Sequence, residues 1–523
     1  MPEANRYLDN HLAGRLRAAS CGREEVCFAE LAEAPGHPKI TYGDLFAGAE
    51  RHAKALAAAG LQPGDRVAVQ VEKSIEALQL YLGTVLAGGV FLPLNTAYTP
   101  AEVRYFLGDA EPRVFVCDPA KLETLQAVAA EAGVGQVLTL SAAGAGSLTD
   151  LVEEQEPGFE AVARRRDDLA AILYTSGTTG RSKGAMMTHG NLASNAEVLL
   201  QSWRFTAEDV LIHALPIFHT HGLFVATNVT LLAGGSLIFR SRFDAEAVLE
   251  DMARATAMMG VPTFYVRLLD CAGLTKEATA GMRVFISGSA PLLAETHRLW
   301  AERTGHAILE RYGMTETGMN TSNPYAGERR AGTVGFALPG VEVKITDPAS
   351  GEALPTGEVG GIEVRGPNVF TGYWRMPEKT REELREDGFF ITGDLGLIDA
   401  EGYISIVGRS KDLIISGGYN VYPKEVEALI DAVEGVRESA VIGLPHPDFG
   451  EGVAAVVVPD QESGLTEAGL AAALKDDLAR FKQPKRVFLV DELPRNTMGK
   501  VQKNLLRDRY KDSFAAPGAQ ASG

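Results

Sequence analysis

Between Arg66 and Cys117 the chain switches repeatedly between two periodicities, and this alternation limits its fold more than any other feature. Arg66 to Val71 follows the turn Pro63-Gly64-Asp65 and reads as a strand. Ser74 to Ala87 reads as a helix, Val90 to Leu94 as a strand, Pro100 to Gly108 as a helix and Arg113 to Cys117 as a strand. A β-α-β-α-β series requires a parallel or mixed sheet with helices on its faces. The pattern recurs through Val284 to Ile286. From Val341 to Val364, strands separated by Gly/Pro turns predict a smaller β-rich subdomain. With 523 residues, 46% of them apolar, the chain can fill several sizeable cores.

The texture changes after Gly408-Arg409-Ser410-Lys411-Asp412. A strand at Leu413 to Ile415, a turn at Gly417-Gly418 and a helix from Pro423 to about Ala432 are expected, with Pro423 at a favourable first-turn position. Strands near Ser439–Ile442 and Val453–Val458, a helix near Thr466–Leu478 and a strand at Arg486–Val490 complete a compact α+β unit. The expected fold is therefore α/β, with mixed αβαβα layers and a β-rich subdomain in a large unit (1–408), followed by a small unit (409–523). The Ala/Gly/Ser-rich tail after Phe514 is expected to be disordered.

One loop carries most of the chemistry. Thr175-Ser176-Gly177-Thr178-Thr179-Gly180-Arg181-Ser182-Lys183-Gly184 follows the apolar run Leu169 to Tyr174, which reads as a buried strand. Its glycines let the backbone approach a ligand closely. Its hydroxyls and N–H groups donate hydrogen bonds, and Lys183 adds a mobile cation, so the loop suits a polyphosphate. It lacks the G-x-x-x-x-G-K-[ST] spacing of a Walker A loop. Ala185-Met186-Met187 reads as a second strand, with a helix only from near Asn191. The loop is thus a flap between two strands, and a surface turn is the alternative.

Charge and cysteine usage exclude several classes. A net charge of −18 argues against a nucleic-acid binder and against docking on an anionic membrane. Cys21, Cys27, Cys117 and Cys271 are scattered without a C-x-x-C, so a reducing, cytoplasmic setting is expected. Met1 to Arg17 has no apolar segment resembling a secretory signal. Leu211 to Phe239 carries no charged residue, but its histidines, Pro216, Asn228 and paired glycines suit a buried core better than a membrane span.

Four further segments could serve a nucleotide. Glu310-Arg311-Tyr312-Gly313-Met314-Thr315-Glu316 offers an aromatic face for a purine, a hydroxyl for a phosphate and a carboxylate for Mg²⁺, with a structural turn as the alternative. Asp394, after Gly393, suits ribose hydroxyls or a helix cap. Pro494-Arg495-Asn496-Thr497-Met498-Gly499-Lys500 holds one lysine at a loop tip. His219 and His221 lack a Cys or carboxylate cluster, which favours pocket histidines over metal ligands.

In this order, the phosphate loop, Tyr312 to Glu316, Thr392-Gly393-Asp394, Gly408 to Asp412 and Gly499-Lys500 resemble the adenylate-forming superfamily. That superfamily holds acyl-CoA synthetases, firefly luciferase and peptide-synthetase adenylation domains, and the resemblance runs from about Ile40 to Leu506. It implies activation of a carboxylate by Mg-ATP to an acyl-adenylate, then thioester formation with coenzyme A. By the same resemblance, Thr175, Ser176, Gly177, Thr178, Thr179, Gly180 and Lys183 grip phosphates. Ser289, Ala290, Pro291 and Tyr312 flank the adenine, and Gly313 and Met314 also bind ATP; Thr315 meets the α-phosphate, and Thr175 and Glu316 meet the metal. Asp394 and Arg409 bind ribose, and Lys500 bridges the attacking carboxylate and the α-phosphate. Lys411 is the implied hinge, and Gly417, Gly418 and Tyr419 the implied border of the coenzyme A tunnel. An acetyltransferase acting on Lys500 is an implied regulator.

Two arginines point to the acid. Arg311 stands where aryl and long-chain members usually carry glycine, and Arg267 lies in a segment that borders the acyl pocket in the family. With both turned inward and His221 against the acyl group, the pocket would be cationic and would grip a second carboxylate. The stretch Glu310 to Ser322 is similar to that of malonyl-CoA synthetases, which implies malonate and methylmalonate as substrates. Another short acid, or a carrier protein as acceptor, is the alternative. A phosphate-loop ATPase or kinase would need Walker A spacing. A non-catalytic ATP-binding regulator would have no use for Lys500, Glu316 and Lys411 together. No carrier domain follows Lys500 in this sequence, so free coenzyme A is the expected acceptor.

Overall fold

A computed structural model describes residues 6–175, 182–417, 419–460, 463–475, 478–496 and 499–514. Four sheets organise them. The first runs Gln136–Thr139, Val114–Cys117, Arg66–Gln70, Val90–Pro93, Leu169–Thr175 and Lys183–Thr188. All its neighbours are parallel except the last pair. The connecting helices, Ile75–Leu86 and Pro100–Ala110, start at Ser74 and Thr99, whose hydroxyls accept from Ala77 N and Glu102 N.

The second sheet has nine strands and a parallel centre. It runs from Leu309–Met314 through Val284–Ser287, Ala257–Gly260, Val210–His213 and Ser236–Phe239 to Cys27–Leu31. Antiparallel strands close both edges. The helix Ile75–Leu86 lies between the two sheets. Its Tyr81 ring packs edge-on against Phe91 of the first and against Phe224, which follows a strand of the second. That helix is apolar on nearly all sides, as expected of one buried on both faces.

The charge-free stretch divides into the strand Val210–His213, a π-helix His221–Thr227, the helix Asn228–Ala233 and the strand Ser236–Phe239. Among the described residues no helix is long and apolar enough to cross a membrane. A third sheet, Glu342–Thr346, Gly360–Arg365, Phe390–Ile398 and Ile404–Arg409, is antiparallel throughout.

The chain changes sheet after Arg409. A 3-10 turn, Ser410–Asp412, leads to Ile414–Ser416 in a five-stranded sheet with Tyr419–Val421, Gly450–Pro459, Val436–His446 and Arg486–Leu489. Helices Pro423–Asp431, Glu467–Ala473 and Lys503–Tyr510 accompany it. The chain is thus mixed α/β, with a large N-terminal part and a small C-terminal part.

Two boundaries differ from the sequence reading. The helix expected near Asn191 begins at His189, because Thr188 and Asn191 form a reciprocal capping box (Asn191 N to Thr188 Oγ1, 3.0 Å). The helix expected to reach Leu478 stops at Ala473. The tail after residue 514 lies outside the described residues.

Candidate active site

The strands Leu169–Thr175 and Lys183–Thr188 pair antiparallel, with Thr175 opposite Lys183, so the loop between them is pinched at its base. Ser176, Gly177, Thr178, Thr179 and Gly180 lie outside the described residues. The Lys183 ammonium donates to both Glu383 oxygens, at 3.0 and 3.1 Å, and stands 4.2 Å above the Tyr373 ring. The Tyr373 hydroxyl lies 2.6 Å from Glu383 Oε2 and 3.1 Å from Glu316 Oε1. Burial pushes the Glu316 carboxyl up. Burial also works against charge on Glu383, but bonds from Tyr373, Lys183 and Lys379 overcome it and hold that carboxyl low. A buried carboxylate linked through Tyr373 to the Lys183–Glu383 pair fits Mg²⁺, which is commonly held by one or two carboxylates plus substrate phosphates. Among the described residues no group of three His, Cys, Asp or Glu side chains could hold a metal, His219 and His221 included.

A second cluster forms on Leu309–Met314. The Tyr312 hydroxyl donates to Asp394 Oδ2 at 2.5 Å. Asp394 faces Arg409 across two strands, and Arg409 Nε lies 2.8 Å from Asp394 Oδ1. Asp394 accordingly raises the Arg409 guanidinium, against the effect of burial. Gly313, Met314 and Thr315 are half-buried at the following turn. Ser289, Ala290 and Pro291 leave the end of Val284–Ser287; Ser289 has φ 71°, strained for a residue with a side chain, and Pro291 is exposed.

The third cluster is unusual for its missing partners. Arg311 is 3% exposed, yet its Nε and Nη2 meet no hydrogen-bond partner among the described residues. Burial drives its guanidinium down to about 9. His221 Nδ1 lies 3.3 Å from Ser289 Oγ, while its Nε2 is buried and unpartnered. Ser287 Oγ, on the neighbouring strand, and Thr220 Oγ1, next to His221 in the chain, are also buried and unpartnered among the described residues. Burial, then the Arg311 charge, holds His219 down to about 4 and His221 well below its ordinary value, so both imidazoles are neutral.

Arg267 does not join this cluster. On the helix Pro262–Leu269, Tyr265 and Leu268 are buried while Arg267 is exposed. Two residues from Tyr265 is a little over half a helical turn, which puts Arg267 on the opposite face. Of the two guanidinium groups expected to turn inward, Arg311 is buried and Arg267 is exposed.

The C-terminal part reaches the same region. A Cβ on Gly499 would lie 3.1 Å from Thr263 Oγ1, so the Lys500 loop rests on the helix Pro262–Leu269. Asn496 Oδ1 accepts from Lys500 N at 3.0 Å and shapes the loop. Lys500 is solvent-accessible but hemmed in by protein. Burial and the neighbouring Arg409 bring its ammonium down to about 8. Lys411 lies in the connecting turn, where Asp412 pairs with Arg507 at 2.5 Å. Gly417 has φ 60° and donates to Phe449 O at 2.9 Å. Tyr419 is exposed and stacks on Phe481, and Gly418 lies outside the described residues.

The sequence reading singled out neither Tyr373 nor Glu383. Tyr373 and Glu383 sit in and around a short helix, Pro377–Glu383, whose local pattern signals only a connection.

The family described as AMP-binding enzyme matches residues 17–374, and its C-terminal domain matches residues 425–500. A crystal structure of ATP-bound MatB from Rhodopseudomonas palustris is 61% identical, with a TM-score of 0.93 over 96% of this chain and 99% of that one. Apo MatB from the same organism is also 61% identical, over 97% and 99%, with a TM-score of 0.83. A malonate–CoA ligase of Arabidopsis thaliana is 35% identical over 86% of this chain and 78% of its own length.

Proposed function

Since the chain belongs to the AMP-binding enzyme family, we propose that it is an AMP-forming acid–thiol ligase that joins malonate, and also methylmalonate, to coenzyme A. The observation that carries the choice of acid is Arg311, a buried cation whose Nε and Nη2 meet no partner among the described residues, near two neutral imidazoles. A charge so placed is costly unless a ligand completes it. The distal carboxylate of a short diacid does so with two N–H···O bonds.

In the first half-reaction the other carboxylate attacks the α-phosphorus of ATP. A P–O bond forms, the bond to the β-phosphate bridging oxygen breaks, and pyrophosphate leaves. Two anions must approach, and preorganised cations are what such a step needs. Lys500 supplies one, between the carboxylate and the α-phosphate. Thr175, Ser176, Gly177, Thr178, Thr179, Gly180 and Lys183 hold the outer phosphates, and Thr315 meets the α-phosphate. Tyr312, Gly313, Met314, Ser289, Ala290 and Pro291 line the adenine. Asp394, oriented by Tyr312 and Arg409, takes the ribose. Thr175 and Glu316 would hold Mg²⁺, which when bound offsets phosphate charge.

In the second half-reaction the thiol attacks the acyl carbon. A C–S bond forms, the bond to AMP breaks, and the thiol proton passes to solvent. Lys411 is the hinge that withdraws Lys500 and brings Gly417, Gly418 and Tyr419 against the pantetheine arm. The higher TM-score to the ATP-bound relative supports reading the present arrangement as the adenylating one. Lys500 is open enough to be the target of an acetyltransferase, which would neutralise it. A reducing cytoplasm suits its unpaired cysteines.

Pyrophosphate release over a panel of short mono- and dicarboxylic acids tests the reading. Malonate and methylmalonate should exceed acetate and propionate by a hundredfold or more in kcat/KM. Preference for a monocarboxylate would refute it.

A further inference from the structure

We propose that Gly288 is a specificity-determining residue, because the space left by its missing side chain is the seat of the Arg311 guanidinium. This rests on Arg311 gripping the distal carboxylate and asks what puts it there. Val284–Ser287 and Leu309–Met314 are parallel neighbours, with Ser287 opposite Glu310, so Gly288 comes beside Arg311. A Cβ built on Gly288 would meet nothing nearer than that guanidinium, with Nε at 2.5 Å, Nη1 at 2.6 Å and Cζ closer still. No carbon tolerates such distances.

Backbone conformation is not what demands glycine here. Gly288 lies outside the left-handed region, and its N–H donates to Gly260 O at 3.3 Å, which any residue could do. The obstacle to a side chain is the far end of Arg311, a part able to move. An alanine at 288 is therefore compatible with the fold and incompatible with Arg311 in its seat. Displaced, the guanidinium no longer stands near His221, whose Nε2 is buried and unpartnered. Gly288 touches no reacting atom by this account. It acts through Arg311 and sets which acid is chosen, not how fast an adenylate forms once the acid is in place.

The test is a double-mutant cycle on the full chain with Gly288→Ala, Arg311→Leu and both together, read by pyrophosphate release and thermal melting. Gly288→Ala should raise KM for malonate tenfold or more, with KM for ATP and the slow propionate rate within threefold of wild type. In the Arg311→Leu background the same substitution should change malonate kcat/KM less than twofold, because the seat is already empty. If Gly288→Ala alone fails to fold and the double variant folds, the proposal is supported, since only the guanidinium then stands in the way. Unchanged malonate KM, an equal effect in both backgrounds, or loss of fold in both would overturn it. Arg311→Leu that leaves malonate kinetics intact would sink the dicarboxylate reading itself, whatever Gly288 does.

Discussion

Arg311→Leu should do two things that rarely go together: stabilise the protein and destroy its use of malonate. In the free enzyme burial holds the guanidinium down to about 9, well below its ordinary value. At about 1.4 kcal/mol per tenfold, that is a burial cost of about 5 kcal/mol. The sign follows from proton binding. Above about pH 9 the unfolded chain still holds this proton while the folded one gives it up, so the cost is complete below about pH 9 and is relieved as pH rises. Leucine removes the charge but fills less of the space, so about 1–4 kcal/mol of the cost should return as stability. Thermal melting should rise by several degrees. Malonate then has its distal carboxylate against an alkyl group. Losing about 3–5 kcal/mol corresponds to about a 10²–10⁴-fold fall in kcat/KM. Pyrophosphate release with malonate varied, and again with ATP varied, separates this from general damage, because KM for ATP should stay within threefold. Malonate kcat/KM within threefold of wild type would refute the reasoning.

Lys500→Ala should slow pyrophosphate release about 10²–10³-fold, the usual scale for one preorganised group, while supplied malonyl-adenylate is still converted to thioester at near wild-type rate; equal loss of both steps would contradict a lysine used only for adenylation. The kcat/KM for ATP should be full below about pH 8 and fall above it, because free-enzyme Lys500 must keep a proton that it loses there. Lys500→Arg should carry that limb beyond the measurable range, and an unmoved limb would assign it elsewhere. Tyr373→Phe removes the hydroxyl shared by Glu316 and Glu383, a loss of about 0.5–1.5 kcal/mol. KM for ATP should rise roughly three- to tenfold with KM for malonate unchanged, and the reverse pattern would place Tyr373 on the acyl side.

Local pattern made the βαβ units legible, since strand and helix periods alternate plainly from Arg66 to Cys117 and each helix carries its own cap. Sheet membership was not legible in the same way. Cys27–Leu31 pairs with Ser236–Phe239, far along the chain, and no local signal announces such a partner. The meeting of Tyr312, Asp394 and Arg409 was readable because each lies in a compact motif. Glu383 was not, because its meaning comes from the fold bringing it to Lys183. Arg267 was misplaced although helix geometry speaks to it: it cannot share a face with both Tyr265 and Leu268. Gly288 shows the opposite case, where the telling feature is an atom the sequence lacks and only a neighbour's side chain explains why.

The most direct test compares malonate with its monomethyl ester in the wild-type enzyme by pyrophosphate release. The ester keeps the reacting carboxylate and nearly the same carbon frame, and replaces only the charge meant for Arg311. A hundredfold or greater preference for malonate in kcat/KM is the predicted result. Equal use of the two would mean that the buried guanidinium does not read the second carboxylate.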